Sequence, residues 1–334
     1  MTKWEVPVPW PRVSRRRPFT VSASLGHRID QVVLALVTLI VLTGGAVRLT
    51  GSGLGCSDWP DCSTGHLTPA LQFHPLIEFS NRMVTDVLVV AVAVAFLAAI
   101  FRAPRRRDLI YLSGGLVAGI LAQAVIGGIV VLTKLNPYWV MLHLVATLML
   151  VVNAVVLVHR STRDYSPGSG RALVPRPLLQ FQYGILTLLG IVIAAGTAAT
   201  GAGPLAGNAQ GQEVAKRIPV AFRDLAELHA VLAMLLVGVT VGLVVGLHVA
   251  DVPERVRRAG RILLGVMVAQ AAVGYTQYFT HVPAALVEVH ILGATVLVVG
   301  AVQCFLACTF HPTEQVPVPA APRRTEAGLP IGAR

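Results

Sequence analysis

The sequence predicts an all-α polytopic membrane protein: eight transmembrane helices forming two tandem four-helix bundles, related as a parallel pseudo-two-fold repeat. Three observations lead there. Of 334 residues 54% are hydrophobic and 13% charged, with a mean hydropathy of +0.70, a balance foreign to soluble domains. Eight apolar stretches can be read at about residues 28–50, 76–101, 108–133, 138–158, 178–200, 224–250, 261–280 and 284–310. Each can cross a hydrocarbon core of about 30 Å at about 1.5 Å per residue. Finally, the stretch Ala122–Thr147, AQAVIGGIVVLTKLNPYWVMLHLVAT, returns as Ala269–Ala294, AQAAVGYTQYFTHVPAALVEVHILGA. At that fixed offset Gln123 meets Gln270, Gly127 meets Gly274, Thr133 meets Thr280 and His143 meets His290. A lone histidine falling on a lone histidine inside two apolar helices is the part that shared composition does not explain.

The formal net charge of +11 invites a nucleic-acid partner, but its distribution argues against one. With the N-terminus inside, the inner segments hold 21 of the 27 Lys and Arg, among them Arg15–Arg17, Arg105–Arg107, Arg255, Arg257, Arg258 and Arg261. The outer segments hold Arg48, Arg82, Lys134, Lys216, Arg217 and Arg223. This positive-inside asymmetry places both termini in the cytoplasm.

Taken in order, residues 1–27 read as a Pro- and Arg-rich cytoplasmic arm against anionic headgroups. No small-residue cleavage site follows the first apolar span, so no signal peptide is expected. The N-terminal bundle is assigned to residues 28–158. Its first span ends in GGAVRLTGSGLGCSDWPDC, whose glycines stop the helix and open an outer loop holding Cys56 and Cys62. Six residues apart on the oxidising side, these two can form a disulfide or remain free thiols. The second span opens PLIEFSNRMVTD, and a short outer LNP turn joins the third to the fourth. Residues 159–177, charged and rich in Gly and Pro, read as a cytoplasmic linker. The C-terminal bundle, 178–310, has a longer outer loop after TGAGPLAG, and residues 311–334 read as a disordered cytoplasmic tail.

Of ten histidines, seven fall at helix ends or surfaces. His143, His229 and His290 lie inside apolar spans, each about 8–9 Å below the outer surface, on even-numbered helices. The remaining even-numbered helix carries Asn81 at that depth. An imidazole in hydrocarbon requires a partner, a cavity or a metal. Two imidazoles from facing helices are what six-coordinate haem iron takes, whereas zinc would lack further ligands. Glu78, Asn81 and Arg82 share one helical face. Glu78 can be half of a surface pair with Arg82, or a carboxyl beside a cofactor pocket that moves protons or stabilises developing positive charge. Arg48 and Arg82 are candidate contacts for haem carboxylates, or snorkelling helix ends. Cys304 and Cys308 need no role beyond small apolar side chains.

VRLTGSGLGCSDWPDC, the IEF-x-NR segment, the repeated AQ–G motif and the three histidines together resemble the haem A synthase family over roughly residues 28–310. The resemblance implies two four-helix bundles in a bacterial plasma membrane, with haem chemistry toward the outer face. It implies conversion of haem O to haem A for haem-copper terminal oxidases, a ring methyl becoming a formyl through successive hydroxylations. It further implies haem b on His229 and His290, substrate haem on His143, Glu78 as the acidic residue of the reaction, and a Cys56–Cys62 disulfide. Expected partners are a haem O-producing farnesyltransferase, oxidase assembly factors and an electron donor. Many members have histidine where this chain has Asn81, which leaves the substrate iron one strong ligand. Two other classes compete: a b-type cytochrome exchanging electrons with quinone, and a transporter, which parallel repeats also suggest.

Overall fold

The computed structural model describes residues 19–56, 58–63, 65–66, 68–162, 172–205 and 216–309. The arm before residue 19, residues 163–171 of the linker and the tail beyond residue 309 lie outside the described residues. Eight helices follow in order: α1 Ala23–Leu49, α2 Phe73–Phe101, α3 Arg107–Leu132, α4 Pro137–Ser161, α5 Arg176–Ala202, α6 Phe222–Val249, α7 Glu254–Phe279 and α8 Ala284–Ala307. All eight are long and apolar enough to cross a membrane, and no strand occurs among the described residues beyond isolated bridges.

Local chemistry sets some of the ends. Ser22 caps α1, its hydroxyl accepting from the Leu25 amide at 3.2 Å, so the helix starts five residues before the apolar pattern does. Asn136 accepts from the Tyr138 amide at 3.1 Å, and Pro137 supplies the pre-set first helical residue of α4. The largest difference from the sequence expectation is α7, which begins at Glu254 rather than near residue 261. Glu254 draws Arg261 to 2.6 Å and Arg257 to 3.8 Å, so a run that reads as basic loop is an ion-paired first turn.

Each helix buries a narrow stripe. On α1 this is Gly26, Asp30, Val33, Val37, Val41 and Gly45, a spacing of three and four that keeps one face inward. The outward faces stay apolar, with Val90 63% and Leu121 65% exposed, as lipid contact requires. Helices α1 to α4 close one four-helix group through the α1–α2, α2–α3, α3–α4 and α1–α4 contacts, and α5 to α8 close a second in the corresponding way. The seam between them consists of α1–α8, α4–α5 and α4–α8. That set of contacts is unchanged when the two groups are exchanged.

The turns at the tips of α3–α4 and α7–α8 share a backbone conformation. Lys134 (φ 52°) and Leu135 (φ 58°) are left-handed without being glycine, and so are His281 (φ 65°) and Val282 (φ 58°), 147 positions later. The hydrogen bonds match as well. Thr133 donates to the Ile129 carbonyl and Leu135 to Val130; Thr280 donates to Thr276 and Val282 to Gln277.

Candidate functional site

The second half holds a cavity of about 350 Å³ between α5, α6, α7 and α8, with His229 and His290 in its wall. Their ring centres are 6.2 Å apart, with the ring planes at 75°. Glycines make the room: a Cβ at Gly196 of α5 would lie 2.8 Å from His229 Cε1, and one at Gly274 of α7 would lie 3.1 Å from His290 Cε1. His229 Nδ1 is 2.9 Å from the Val192 carbonyl. Donating there, it leaves Nε2 as the nitrogen able to bind a metal. His290 Nδ1 is buried without a partner. The rest of the wall is largely apolar, with Leu189, Val237, Met267 and Ile291, and α1 and α4 reach it through Val41, Leu144 and Leu148. Gly203, Pro204 and Leu205, just past the end of α5, also line it.

The first half repeats part of this arrangement. His143 stands on α4 with its Cε1 3.5 Å from where a Gly127 Cβ would be, and its Nδ1 is likewise buried without a partner. Gln123 Nε2 donates to the His143 carbonyl at 3.0 Å and to Thr147 Oγ1 at 2.6 Å. In the second half Gln270 Nε2 donates to the His290 carbonyl at 2.8 Å. Asn81, which occupies the level of a histidine on α2, is committed elsewhere: its Oδ1 accepts from the Thr43 hydroxyl of α1 at 2.7 Å.

Glu78 is buried, only 5% exposed. Oε2 accepts from the Cys56 amide at 2.8 Å and Oε1 from Arg82 at 2.8 Å. The Glu78–Arg82 pair exists, then, but inside the structure. Arg82 also donates to the carbonyls of Asp58, Pro60 and Asp61 at 3.0–3.2 Å. Cys56 and Cys62 form a disulfide with Cα atoms 4.3 Å apart, so the pair on α2 holds the whole disulfide loop. Trp59 of that loop lies against α3, its indole carbons 3.1 Å from where a Gly128 Cβ would stand. That glycine adjoins Gly127, the neighbour of the His143 ring. Arg48 donates to the Thr200 carbonyl and to the Leu205 carbonyl, each at 3.2 Å, tying α1 to the rim of the second-half cavity.

A sequence profile for the COX15-CtaA family, described as cytochrome oxidase assembly protein, matches residues 28–74 and 70–302. The chain belongs to that family. Curated relatives include a protein named Heme A synthase from Geobacillus kaustophilus (strain HTA426), 37% identical over 107 residues, 31% of this chain and 33% of the relative. Another of that name, from Bacillus pumilus (strain SAFR-032), is 32% identical over 177 residues, 51% of this chain and 57% of the relative. A third, from Bacillus licheniformis, is 44% identical over 68 residues, 19% of this chain and 22% of the relative. The chain thus spans a third of the first of these relatives and just over half of the second.

The paired histidines fit a haem. Two imidazole nitrogens about 2 Å from one iron, on opposite sides, put facing ring centres roughly 6 Å apart. Among the described residues no three His, Cys, Asp or Glu side chains gather as a metal site of their own, so a bare ion would lack the ligands that a macrocycle brings. Several site groups escape a reading of the sequence. Thr43 and Gly196 give no local signal. Gln123 and Gln270 are visible in the repeated motif, but their acceptors are not. Glu288 of α8 is visible as a charge in an apolar span: its Oε2 is buried without a partner, 2.6 Å from where a Gly45 Cβ of α1 would lie. Cys304 and Cys308 are free and buried, and Cys304 Sγ accepts from Gln182 Nε2 at 3.0 Å.

Proposed function

We propose that this protein is a haem A synthase, oxidising a ring methyl of haem O to a formyl in the outer half of a bacterial plasma membrane. The observation that carries the reading is the facing of His229 and His290 across one apolar cavity, in a chain of the COX15-CtaA family. The name carried by the curated relatives agrees with it.

In this reading His229 and His290 hold haem b. Held by these two imidazoles, such a haem would supply one-electron transfer. The Val192 carbonyl orients His229 through Nδ1, and the apolar wall excludes water. Substrate haem O rests on His143 in the first half. Asn81, with its oxygen taken by Thr43, offers no second ligand, so that iron keeps an exchangeable face, as suits a molecule that must arrive and leave. Glu78 lies on the same α2 face as Asn81 and takes a proton from the substrate side, or balances positive charge there, while Arg82 and the Cys56 amide fix its two oxygens. Arg82, held by Glu78 and three loop carbonyls, and Arg48, held by two carbonyls at the end of α5, are the candidate contacts for haem carboxylates in this reading. The two halves are tandem parallel repeats with both termini cytoplasmic; the shared turn geometry and the exchangeable seam support the repeat, and the distribution of Lys and Arg supports the orientation. A haem O-producing farnesyltransferase, terminal oxidase assembly factors and an electron donor are the partners this chemistry calls for.

Extraction of the haems from purified protein, followed by chromatographic separation, tests the reading. Haem b together with haem O or haem A is expected, and His290→Ala should lose the low-spin haem spectrum. Haem b alone would favour a cytochrome that only passes electrons, and an unchanged spectrum in His290→Ala would remove the ligand assignment.

A further inference from the structure

A histidine that binds a metal is ordinarily oriented through its other ring nitrogen, which donates to a carbonyl or carboxylate. His229 follows that rule through Val192. His290 and His143 do not, because in both the Nδ1 is buried and unpartnered. What each has instead is a hydrogen bond to its own backbone carbonyl, from a glutamine on the preceding helix: Gln270 to His290 at 2.8 Å and Gln123 to His143 at 3.0 Å. The same donor helix brings a glycine four residues after the glutamine, on the same face, to the edge of the same imidazole. One element therefore touches each histidine at two points, the carbonyl and the ring.

From this geometry we propose that Gln270, and Gln123 in the first half, are positioning residues that set the placement of the axial histidine through its backbone. The inference rests on the reading of His290 as a haem ligand. A helix that slides by one residue moves about 1.5 Å and turns by roughly 100°, either of which carries the ring nitrogen away from the iron. A side-chain amide on the ligand residue's own carbonyl resists both motions. The glycine leaves room for the ring to lie against the donor helix: a Cβ at Gly274 would stand 3.1 Å from His290 Cε1, and one at Gly127 3.5 Å from His143 Cε1. An interhelical glutamine bond is common glue in membranes. Here, though, both copies choose the ligand's own carbonyl among all those on the facing helix, and both pair the choice with a glycine at the ring.

The two seats differ. In the first half Gln123 also donates to Thr147 Oγ1, which itself donates to the His143 carbonyl at 2.8 Å. In the second half Ala294 replaces that threonine in the repeat, so Gln270 holds His290 without a hydroxyl to share the bond. Loss of the glutamine should therefore matter more at His290.

The test compares full-length wild-type protein with Gln270→Met, which keeps the length without the donor, and Gln270→Asn, which keeps the amide but falls short of the carbonyl. The readouts are the rate of haem loss to apomyoglobin, the low-spin electron paramagnetic resonance signal and the midpoint potential of the haem that is retained. The expected result is roughly 10–100-fold weaker haem retention, the usual cost of removing a ligand's supporting partner, with a shifted signal and potential. Gln270→Asn guards against a Met variant that does not assemble. Wild-type retention, signal and potential in Gln270→Asn would overturn the proposal even if Gln270→Met were lost. His290→Ala separates the two ideas. If it keeps the wild-type haem spectrum, the ligand assignment has failed; if it loses the haem while the Gln270 variants behave as wild type, only the seating role has failed.

Discussion

Both oxygens of Glu78 are taken, one by a backbone amide and one by a guanidinium, and that limits what its substitution can do. In Glu78→Gln the amide oxygen still accepts from Cys56, and Arg82 keeps its three loop carbonyls. The structural loss is one half-buried ion pair, about 1–2 kcal/mol. On the proposed function, the variant should fold and keep a low-spin haem on His229 and His290 while its haem A output falls away. Normal haem A output at normal haem b content would show that the carboxyl takes no part in the reaction. At this scale the sequence was readable where a residue was out of place in its surroundings: three imidazoles and a carboxyl in hydrocarbon announce themselves by their cost. Their supports were not readable. Thr43 and Asn81 are 38 residues apart, and His229 and the Val192 carbonyl 37. Neither partner is an odd residue for its helix, so nothing marks it until the helices pack.

Among the elements, the loop between α1 and α2 carries the most specific short-range design. A disulfide closes Cys56 to Cys62, the Glu78–Arg82 pair grips its backbone, and Trp59 rests on α3. Chain-entropy reasoning gives so short a closed loop about 2–3 kcal/mol of stabilisation. The double variant Cys56→Ser/Cys62→Ser should lower the thermal midpoint of the purified protein by several degrees. On the proposed function, the spectrum of a haem held by His229 and His290 should be unaffected, because the loop belongs to the other group of helices. A midpoint equal to that of the wild type would mean that the Glu78 and Arg82 bonds alone hold the loop. The helices themselves were readable as apolar runs, with most ends within three residues, but the starts of α1 and α7 were not. Glu254 extends α7 inward by ion pairing with Arg257 and Arg261, an effect of side chains on a segment whose composition signals a loop.

For the whole molecule, what matters is the seam where α1 and α4 meet α5 and α8. Arg48 bridges it with two bonds to backbone carbonyls at the end of α5, and Glu288 presses a carboxyl oxygen toward Gly45. Arg48→Ala removes both bonds and should cost about 1–3 kcal/mol, seen as a lower thermal midpoint in detergent and, on the proposed function, faster loss of the haem held by His229 and His290. Retention of both would mean that apolar packing alone holds the halves together. The repeat was visible in the sequence only where residues are held to a task, at glutamine, glycine and histidine. At the outer turns it had faded: KLNP stands in one copy and HVPA in the other, yet the backbone is the same. The shape of those turns is thus fixed by where the hydrogen bonds close and not by which side chains stand there. Residues 134–136 and 281–283 share a backbone although their letters differ, and an engineer wanting a label, a tag or a tether on one half alone has a matched pair of positions at Lys134 and His281.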